Sequence, residues 1–188
     1  MIKLKDLLFE DKMPRGLSLG KLQVFSPGTG AAGYPGSLKL QPGKFPTGKL
    51  KVGNFMACNN KPNGAFWTSS YKSKFKGSDW TDWKKKEMKH WHSGIGAVFE
   101  VQSGAKIARV ANFKQYDKLV KKYPNDTSMM GCSHGDRYLN WHALSKDYDG
   151  FHLASSRGFG PYGISGWDAE SVAWFNMRKL KFVGTIKV

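Results

Sequence analysis

Glycine and proline are concentrated in the first third of the chain, and this distribution limits which folds are open to it. Ten of the 22 glycines and six of the eight prolines fall between residues 11 and 64. Proline breaks helices from within and glycine weakens them, so this stretch is expected to form short strands joined by turns. The predicted strands are residues 21–25, 37–40 and 49–55. A poorly ordered basic arm over residues 11–64 is an equally open interpretation, and residues 11–48 are the Gly/Pro-rich basic part of the domain.

The later part of the chain alternates between helical and extended patterns. Ser78 and Asn112 each precede an apolar stripe at helical spacing, which is typical of helix N-caps, and a third short helix is predicted near residues 138–144. We expect two hairpins, one over residues 96–110 and one over residues 171–188. Strands with period-two apolar patterns or strand-forming composition are predicted at 65–68, 96–101, 106–110, 151–154, 171–175 and 182–188.

These elements predict an α+β fold with a split, mostly antiparallel β-core and a few short helices. A chain of 188 residues with 40 % apolar residues is sufficient for one domain with a real core, here residues 11–188. Cys58 and Cys132 lack the spacing of a zinc site or a disulfide framework, which favours a reducing intracellular setting. No apolar run is long enough to span a bilayer, so no membrane partner is expected.

The charge is strongly basic and unevenly distributed. Thirty Lys and Arg against 14 Asp and Glu give a formal net charge of +16. No acidic residue occurs between Lys12 and Ser78, whereas eleven basic residues do. Such a chain attracts polyanions, so nucleic acid, acidic protein or anionic lipid is the expected class of partner.

The first ten residues stand apart from the rest. Ile2, Leu4, Leu7 and Leu8 give residues 1–10 a short amphipathic pattern that is consistent with a simple N-terminal helix. The segment also resembles the capsid-targeting propeptide of internal head proteins of T-even-like phages, whose Leu-x-Glu cleavage site is similar to Leu8-Phe9-Glu10. That resemblance implies a phage-encoded protein carried in the phage head beside packaged DNA.

Two short segments contain groups suited to chemistry. Asp168 and Glu170 are two residues apart, so in extended chain their carboxylates lie on one face. The pair is consistent with a solvated strand entrance, but it lies among Trp167 and Trp174, and a carboxylate among aromatic residues has a function more often than one among lysines. The second segment is the hydroxyl run of residues 68–70, which follows the aromatic pair at positions 66 and 67.

Together these segments resemble the ADP-ribosyltransferases of the diphtheria-toxin and poly(ADP-ribose) polymerase superfamily. Residues 64–70 are similar to the family's aromatic-x-Ser-Thr-Ser strand, and residues 168–170 to its Gln/Glu-x-Glu element. The two strands that follow occur in the family's order. One departure is that the family has an Arg or His on its first strand, and neither residues 21–25 nor residues 49–55 contain one. Asn54 is the nearest polar candidate.

The resemblance implies a monomeric NAD-dependent mono-ADP-ribosyltransferase, with NAD as substrate and a host protein or nucleic acid in the host cytoplasm as acceptor. Glu170 would bind the ribose 2′-hydroxyl and stabilise the oxocarbenium ion, and Asp168 would orient or deprotonate the acceptor. Thr68 and Ser69 would hold Glu170 and the nicotinamide ribose, while Trp67 or Trp80 would offer an aromatic face. The implied cofactor-binding residues are Asn54, Phe66, Trp67, Thr68, Ser69 and Trp80.

Other functions are less well supported by the residues. His90, His92, His134 and His142 lack metal-ligand spacing, so no metal site is predicted. The nucleophile elbow of a serine hydrolase is absent from the sequence. The alternative from another class is a non-enzymatic, basic nucleic-acid-binding or capsid-packaged protein on the same fold, with Glu170 as a relic.

Overall fold

A computed structural model describes residues 19–26, 45–54, 60–73, 76–89, 94–125, 138–155, 167 and 169–188. This part of the chain forms strands and short helices in alternation. The strands are β1 (Leu22–Phe25), β2 (Gly53–Asn54), β3 (Pro62–Asn63), β4 (Phe66–Lys72), β5 (Gly77–Ser78), β6 (Ile95–Val101), β7 (Ile107–Val110), β8 (Gly150–Leu153), β9 (Ser171–Trp174) and β10 (Leu180–Lys187). The α-helices are α1 (Asp79–Glu87), α2 (Phe113–Lys122) and α3 (Trp141–Asp147).

Most of the strands belong to one mixed sheet in the order β10-β6-β1-β4-β9-β8-β7, with β5 paired to β4 outside this path. Every pairing in the sheet is antiparallel except that of β7 with β8. Strands β2 and β3 form a separate two-stranded sheet. The α+β class and the mostly antiparallel core with short helices are therefore confirmed within the described residues.

The two predicted hairpins are wrong, although their strands exist. Strand β6 pairs with β1 on one edge and β10 on the other, so no edge is left for β7, which pairs in parallel with β8 instead. Likewise β9 lies between β4 and β8, and β10 pairs only with β6. Apolar alternation shows that a segment is extended, but it does not identify the strand's partner.

Each helix begins at a side chain that accepts from a backbone N–H. The Ser78 hydroxyl accepts a hydrogen bond from the Thr81 backbone N–H, and the Thr81 hydroxyl accepts one from the Ser78 backbone N–H. This reciprocal pair is a capping box at the start of α1. Asn112 and Asn140 cap α2 and α3 in the same way. The N-caps at Ser78 and Asn112 are those predicted from the sequence. The third helix starts at Trp141, three residues later than predicted.

The sheet is covered by apolar side chains on both faces. One cluster joins α2 and α3 to the sheet through residues such as Leu119, Trp141 and Phe151. The other cluster contains Phe66, Phe99 and Trp174. Because side chains alternate along a strand, the second cluster shares its face with the even-numbered positions of β4, β8 and β9.

Several sequence predictions fall outside the described residues. These are the N-terminal segment 1–10, most of the Gly/Pro-rich stretch 11–48 including the strand at 37–40, both cysteines, and Asp168. No helix in the described part of the chain is long and apolar enough to cross a membrane.

Candidate functional site

Strand β4 changes partner along its length, and this change creates the site. Its first half pairs with β9 through Phe66–Trp174, Trp67–Ala173 and Thr68–Val172. Its second half pairs with β1 on the other edge through Ser69 and Ser70. The β4–β9 ladder thus stops two residues short of Glu170. If the ladder continued in the same register, Glu170 would lie opposite Ser70. Instead, the Ser70 backbone N–H donates to the Glu170 side chain.

The carboxylate of Glu170 has four hydrogen-bond partners, two on each oxygen. Its Oε2 accepts from the Ser69 hydroxyl at 2.6 Å and from the Ser70 backbone N–H at 2.8 Å. Its Oε1 accepts from the Ser70 hydroxyl at 2.9 Å and lies 2.8 Å from the Nε2 of His152. A carboxylate offers about four acceptor positions, so all of them are used. Glu170 is only 7 % exposed, which makes each of these bonds matter.

These contacts keep the carboxylate ionised. Burial acts to raise the pKa of Glu170, because a charge is poorly solvated there. The hydrogen bond and the electrostatic interaction with His152, together with the bonds from Ser69 and the Ser70 N–H, outweigh burial, so the pKa lies below its usual value of 4.5. The site therefore presents a fixed negative charge in a poorly hydrated environment.

A chain of buried side chains leads from the core to this carboxylate. The Trp174 indole donates to the Thr68 hydroxyl at 2.8 Å, and Thr68 donates to Gln23 Oε1 at 2.9 Å. The Gln23 amide then donates to the Ser70 hydroxyl at 3.1 Å, and Ser70 donates to Glu170. Indole nitrogen can only donate and each hydroxyl has one hydrogen, so every bond in the chain has the same direction. Its end point is the carboxylate.

The first turn of α1 lies beside the hydroxyl run. The Trp80 backbone N–H is 3.5 Å from the Ser69 hydroxyl, a weak contact that nevertheless puts the helix start next to the site. The Trp80 ring stacks on Trp83, with centroids 4.9 Å apart and planes 19° from parallel. An ion pair between Lys72, at the end of β4, and Asp79, at the start of α1, also links the two elements. The Trp80 backbone therefore adjoins the carboxylate site, and the partly buried Trp80–Trp83 stack belongs to the same helix.

The structure gives the other predicted site residues different surroundings. Phe66 packs with Phe25 and Phe99 in the core. Trp67 packs on Trp167, with the Lys61 ammonium 5.8 Å from the ring centroid. The Asn54 amide nitrogen donates to Asn125, which follows α2, and its oxygen accepts from the Trp141 backbone N–H at the start of α3, so both ends of the amide are used away from Glu170.

Two residues of the site were missed by the sequence analysis. His152 lies on β8 and Gln23 on β1. Each is a polar residue inside a short, largely apolar strand pattern, and that interruption was the available signal. Thr68, predicted to hold Glu170, bonds to Gln23 and Trp174 instead.

Neither a metal centre nor a relative helps to assign the site. Within the described ranges, no group of three or more His, Cys, Asp or Glu side chains could hold a metal ion. No protein-family model matches the chain, and no curated protein or solved structure matches it either.

Proposed function

We propose that this chain is an NAD-dependent mono-ADP-ribosyltransferase that modifies a host protein or nucleic acid, with Glu170 as its catalytic carboxylate. The observation that carries the proposal is the meeting of Ser69 and Ser70 with Glu170 across 101 and 100 residues of chain. The family resemblance implies that a hydroxyl strand holds the catalytic carboxylate, and strand β4 holds Glu170 in this way.

The chemistry of the proposed reaction suits a buried, ionised carboxylate. Breaking the bond between nicotinamide and ribose leaves positive charge on the ribose ring in the transition state. A negative charge that is already fixed beside that ring stabilises the transition state without reorganising, and such a group contributes roughly 3 to 5 kcal/mol. Glu170 supplies this charge because its pKa is lowered despite burial.

The hydrogen bonds around Glu170 also allow a ribose hydroxyl to approach. All four acceptor positions are in use, so a substrate hydroxyl must replace one donor. The Ser69 and Ser70 hydroxyls can rotate about one bond, whereas the Ser70 N–H is fixed by the backbone. We therefore expect the 2′-hydroxyl of the ribose to replace a serine hydroxyl.

The neighbouring groups are given roles on the same basis. The Trp80–Trp83 stack belongs to the helix whose start contacts Ser69, and we expect it to offer a flat aromatic surface to the nicotinamide ring. Asp168 would orient or deprotonate the acceptor. Gln23 is uncharged where the family has Arg or His, and both ends of its amide are engaged. We therefore expect NAD to bind more weakly than it would beside a cation on that strand.

The experiment that tests the proposal is transfer of label from NAD to a macromolecule. The protein is incubated with labelled NAD and host lysate, with and without nuclease, alongside Glu170→Gln. Label that survives nuclease identifies a protein acceptor, and label that is lost identifies nucleic acid. Glu100→Gln makes the same change at a residue paired with Lys21 on the surface, and it should label as the wild type does.

A second function is favoured by the charge of the chain. A net charge of +16 suits binding to nucleic acid, and a carboxylate whose four acceptor positions are filled also serves a purely structural purpose. In that case the protein binds packaged DNA in the phage head without turning over NAD. Absence of labelling together with salt-dependent nucleic-acid binding would select this function.

A further inference from the structure

His152 contacts Glu170 from the side opposite to the serines. It lies on β8, and β9 separates β8 from β4 in the sheet. Its ring is 1 % exposed, and its Nε2 is 2.8 Å from Glu170 Oε1. Its other nitrogen, Nδ1, is buried and has no hydrogen-bond partner among the residues that the structure describes. An unpaired buried nitrogen is unusual enough to require an explanation.

The partner atoms determine which nitrogen donates. An ionised carboxylate can only accept hydrogen bonds, so the Nε2 of His152 must have a hydrogen whether the ring is neutral or charged. In the neutral ring the unpaired Nδ1 is only an acceptor lone pair. The hydrogen bond to Glu170 therefore fixes the tautomer of a neutral ring and leaves Nδ1 as the nitrogen without a partner among the described residues.

Two of the four donors to Glu170 differ from the others in rigidity. The Ser70 N–H fixes Oε2 from β4, and the His152 ring fixes Oε1 from β8. The Ser69 hydroxyl can rotate, and the Ser70 hydroxyl is oriented only through the bonds that it accepts from Gly20 and Gln23, so neither hydroxyl alone defines the orientation of the carboxylate. One rigid donor on each oxygen, from strands on both sides of β9, fixes the plane of the carboxylate.

We propose that His152 is the positioning residue of this site, holding Glu170 through Nε2–H so that the carboxylate keeps its charge and orientation when a substrate hydroxyl replaces a serine. The part that concerns catalysis rests on the proposed function. The part that concerns the charge of Glu170 does not depend on it. Without the His152 donor, burial of Glu170 is opposed by fewer hydrogen bonds, and its pKa should rise.

The first test needs no enzymatic activity. The Glu170 carboxyl carbon is titrated by NMR in the wild type, in His152→Gln, whose amide can still reach and donate, and in His152→Leu, which cannot donate. We expect the wild type and His152→Gln to titrate below 4.5 and His152→Leu to titrate higher. An unchanged titration in His152→Leu would overturn the proposal. If His152→Leu does not fold, the ¹⁵N NMR spectrum of the His152 ring in the wild type tests the proposal instead. An Nε2 that bears no hydrogen would also overturn the proposal.

The second test separates positioning from binding. For NAD turnover, His152→Leu should lower kcat about 10- to 100-fold, the effect of losing one hydrogen bond to a charged group, with KM nearly unchanged. His152→Gln should restore most of the loss. A loss confined to KM, or no rescue by Gln, would contradict the positioning role. Should the wild type lack turnover while the Glu170 titration responds to His152→Leu, the proposed function fails and the effect of His152 on the carboxylate stands.

Discussion

Trp174 donates its indole N–H to the hydroxyl of Thr68 at 2.8 Å, and both residues are buried. This bond joins the apolar core to the carboxylate site, because the Thr68 hydroxyl in turn donates a hydrogen bond to Gln23, and the Gln23 amide donates one to Ser70. The orientation of Glu170 is thus connected to side chains that never touch it. Removing a hydrogen bond at the Trp174 end of this series should therefore affect how Glu170 is held.

The first prediction concerns Thr68→Val, which keeps the branched shape but removes the hydroxyl. It leaves the Trp174 N–H and Gln23 Oε1 buried without partners, and each unpaired group costs roughly 1 to 3 kcal/mol. We expect a loss of about 2 to 5 kcal/mol in the free energy of unfolding, measured by urea denaturation. Thr185→Val, the same change at an exposed position of β10, should stay within about 0.5 kcal/mol. Similar effects of the two changes would show that the hydrogen bonds of Thr68 to Trp174 and Gln23 contribute little to the free energy of unfolding.

The second prediction is the acid dependence of stability. The folded pKa of Glu170 lies below 4.5, so the folded protein releases this proton more readily than the unfolded chain. The resulting stabilisation is complete above pH 4.5 and is lost as pH falls through the folded pKa. The difference in unfolding free energy between the wild type and Glu170→Gln should therefore shrink on acidification. A difference that stays constant from neutral pH to about pH 3 would argue against an ionised Glu170.

The third prediction concerns Lys84, which is 1 % exposed and donates to the Ser26 hydroxyl at 3.3 Å. Burial lowers the pKa of Lys84 from 10.5 to about 8. Between these values the unfolded chain binds more protons, so stability relative to Lys84→Met should rise as pH increases from 8 to 10.5. Urea denaturation across this range measures it, with Lys85→Met, at an exposed position, as control. A pH-independent difference would contradict the lowered pKa.

The fourth prediction concerns nucleic acid. Lys49 and Lys51 are exposed and lie in the segment from Lys12 to Ser78 that has no acidic residue. If this segment contacts phosphates, the logarithm of the binding constant should fall linearly with the logarithm of salt concentration. Replacing both lysines with Gln should lower the magnitude of that slope by roughly two. The same replacement of Lys181 and Lys187 on β10 should change it less. Affinity that is insensitive to salt would exclude an electrostatic role.

The sequence predicted which segments are extended or helical better than how they pair. Alternating apolar residues locate β6 and β10, and side-chain caps locate the starts of α1 and α2. Pairing depends on which edges are already occupied, and β6 has both edges filled by strands that are distant in sequence. Local pattern contains no information about that competition, which is why both hairpins were predicted wrongly.

Some residues of the candidate site were likewise predictable from the sequence and others were not. Glu170 and Ser69 could be associated because short motifs placed both in a recognised order. His152 and Gln23 belong to no motif, and they reach the site only because strands β8 and β1 are neighbours of β9 and β4. A polar residue in the middle of a buried strand is the one clue that sequence provides for such positions. The number of donors to Glu170 could not be predicted, because it depends on where the β4–β9 ladder ends.

The measurement closest to the central claim is the rate of nicotinamide release from NAD by the wild type and Glu170→Gln, in the presence of lysate. Gln places an amide N–H₂ against groups that donate to Glu170, so both proteins must first be shown to be folded at the assay temperature. We expect turnover by the wild type and a decrease of about two to four orders of magnitude in Glu170→Gln, with Glu100→Gln unchanged. Full turnover in folded Glu170→Gln, or none in the wild type, would contradict the assignment of Glu170 as the catalytic carboxylate.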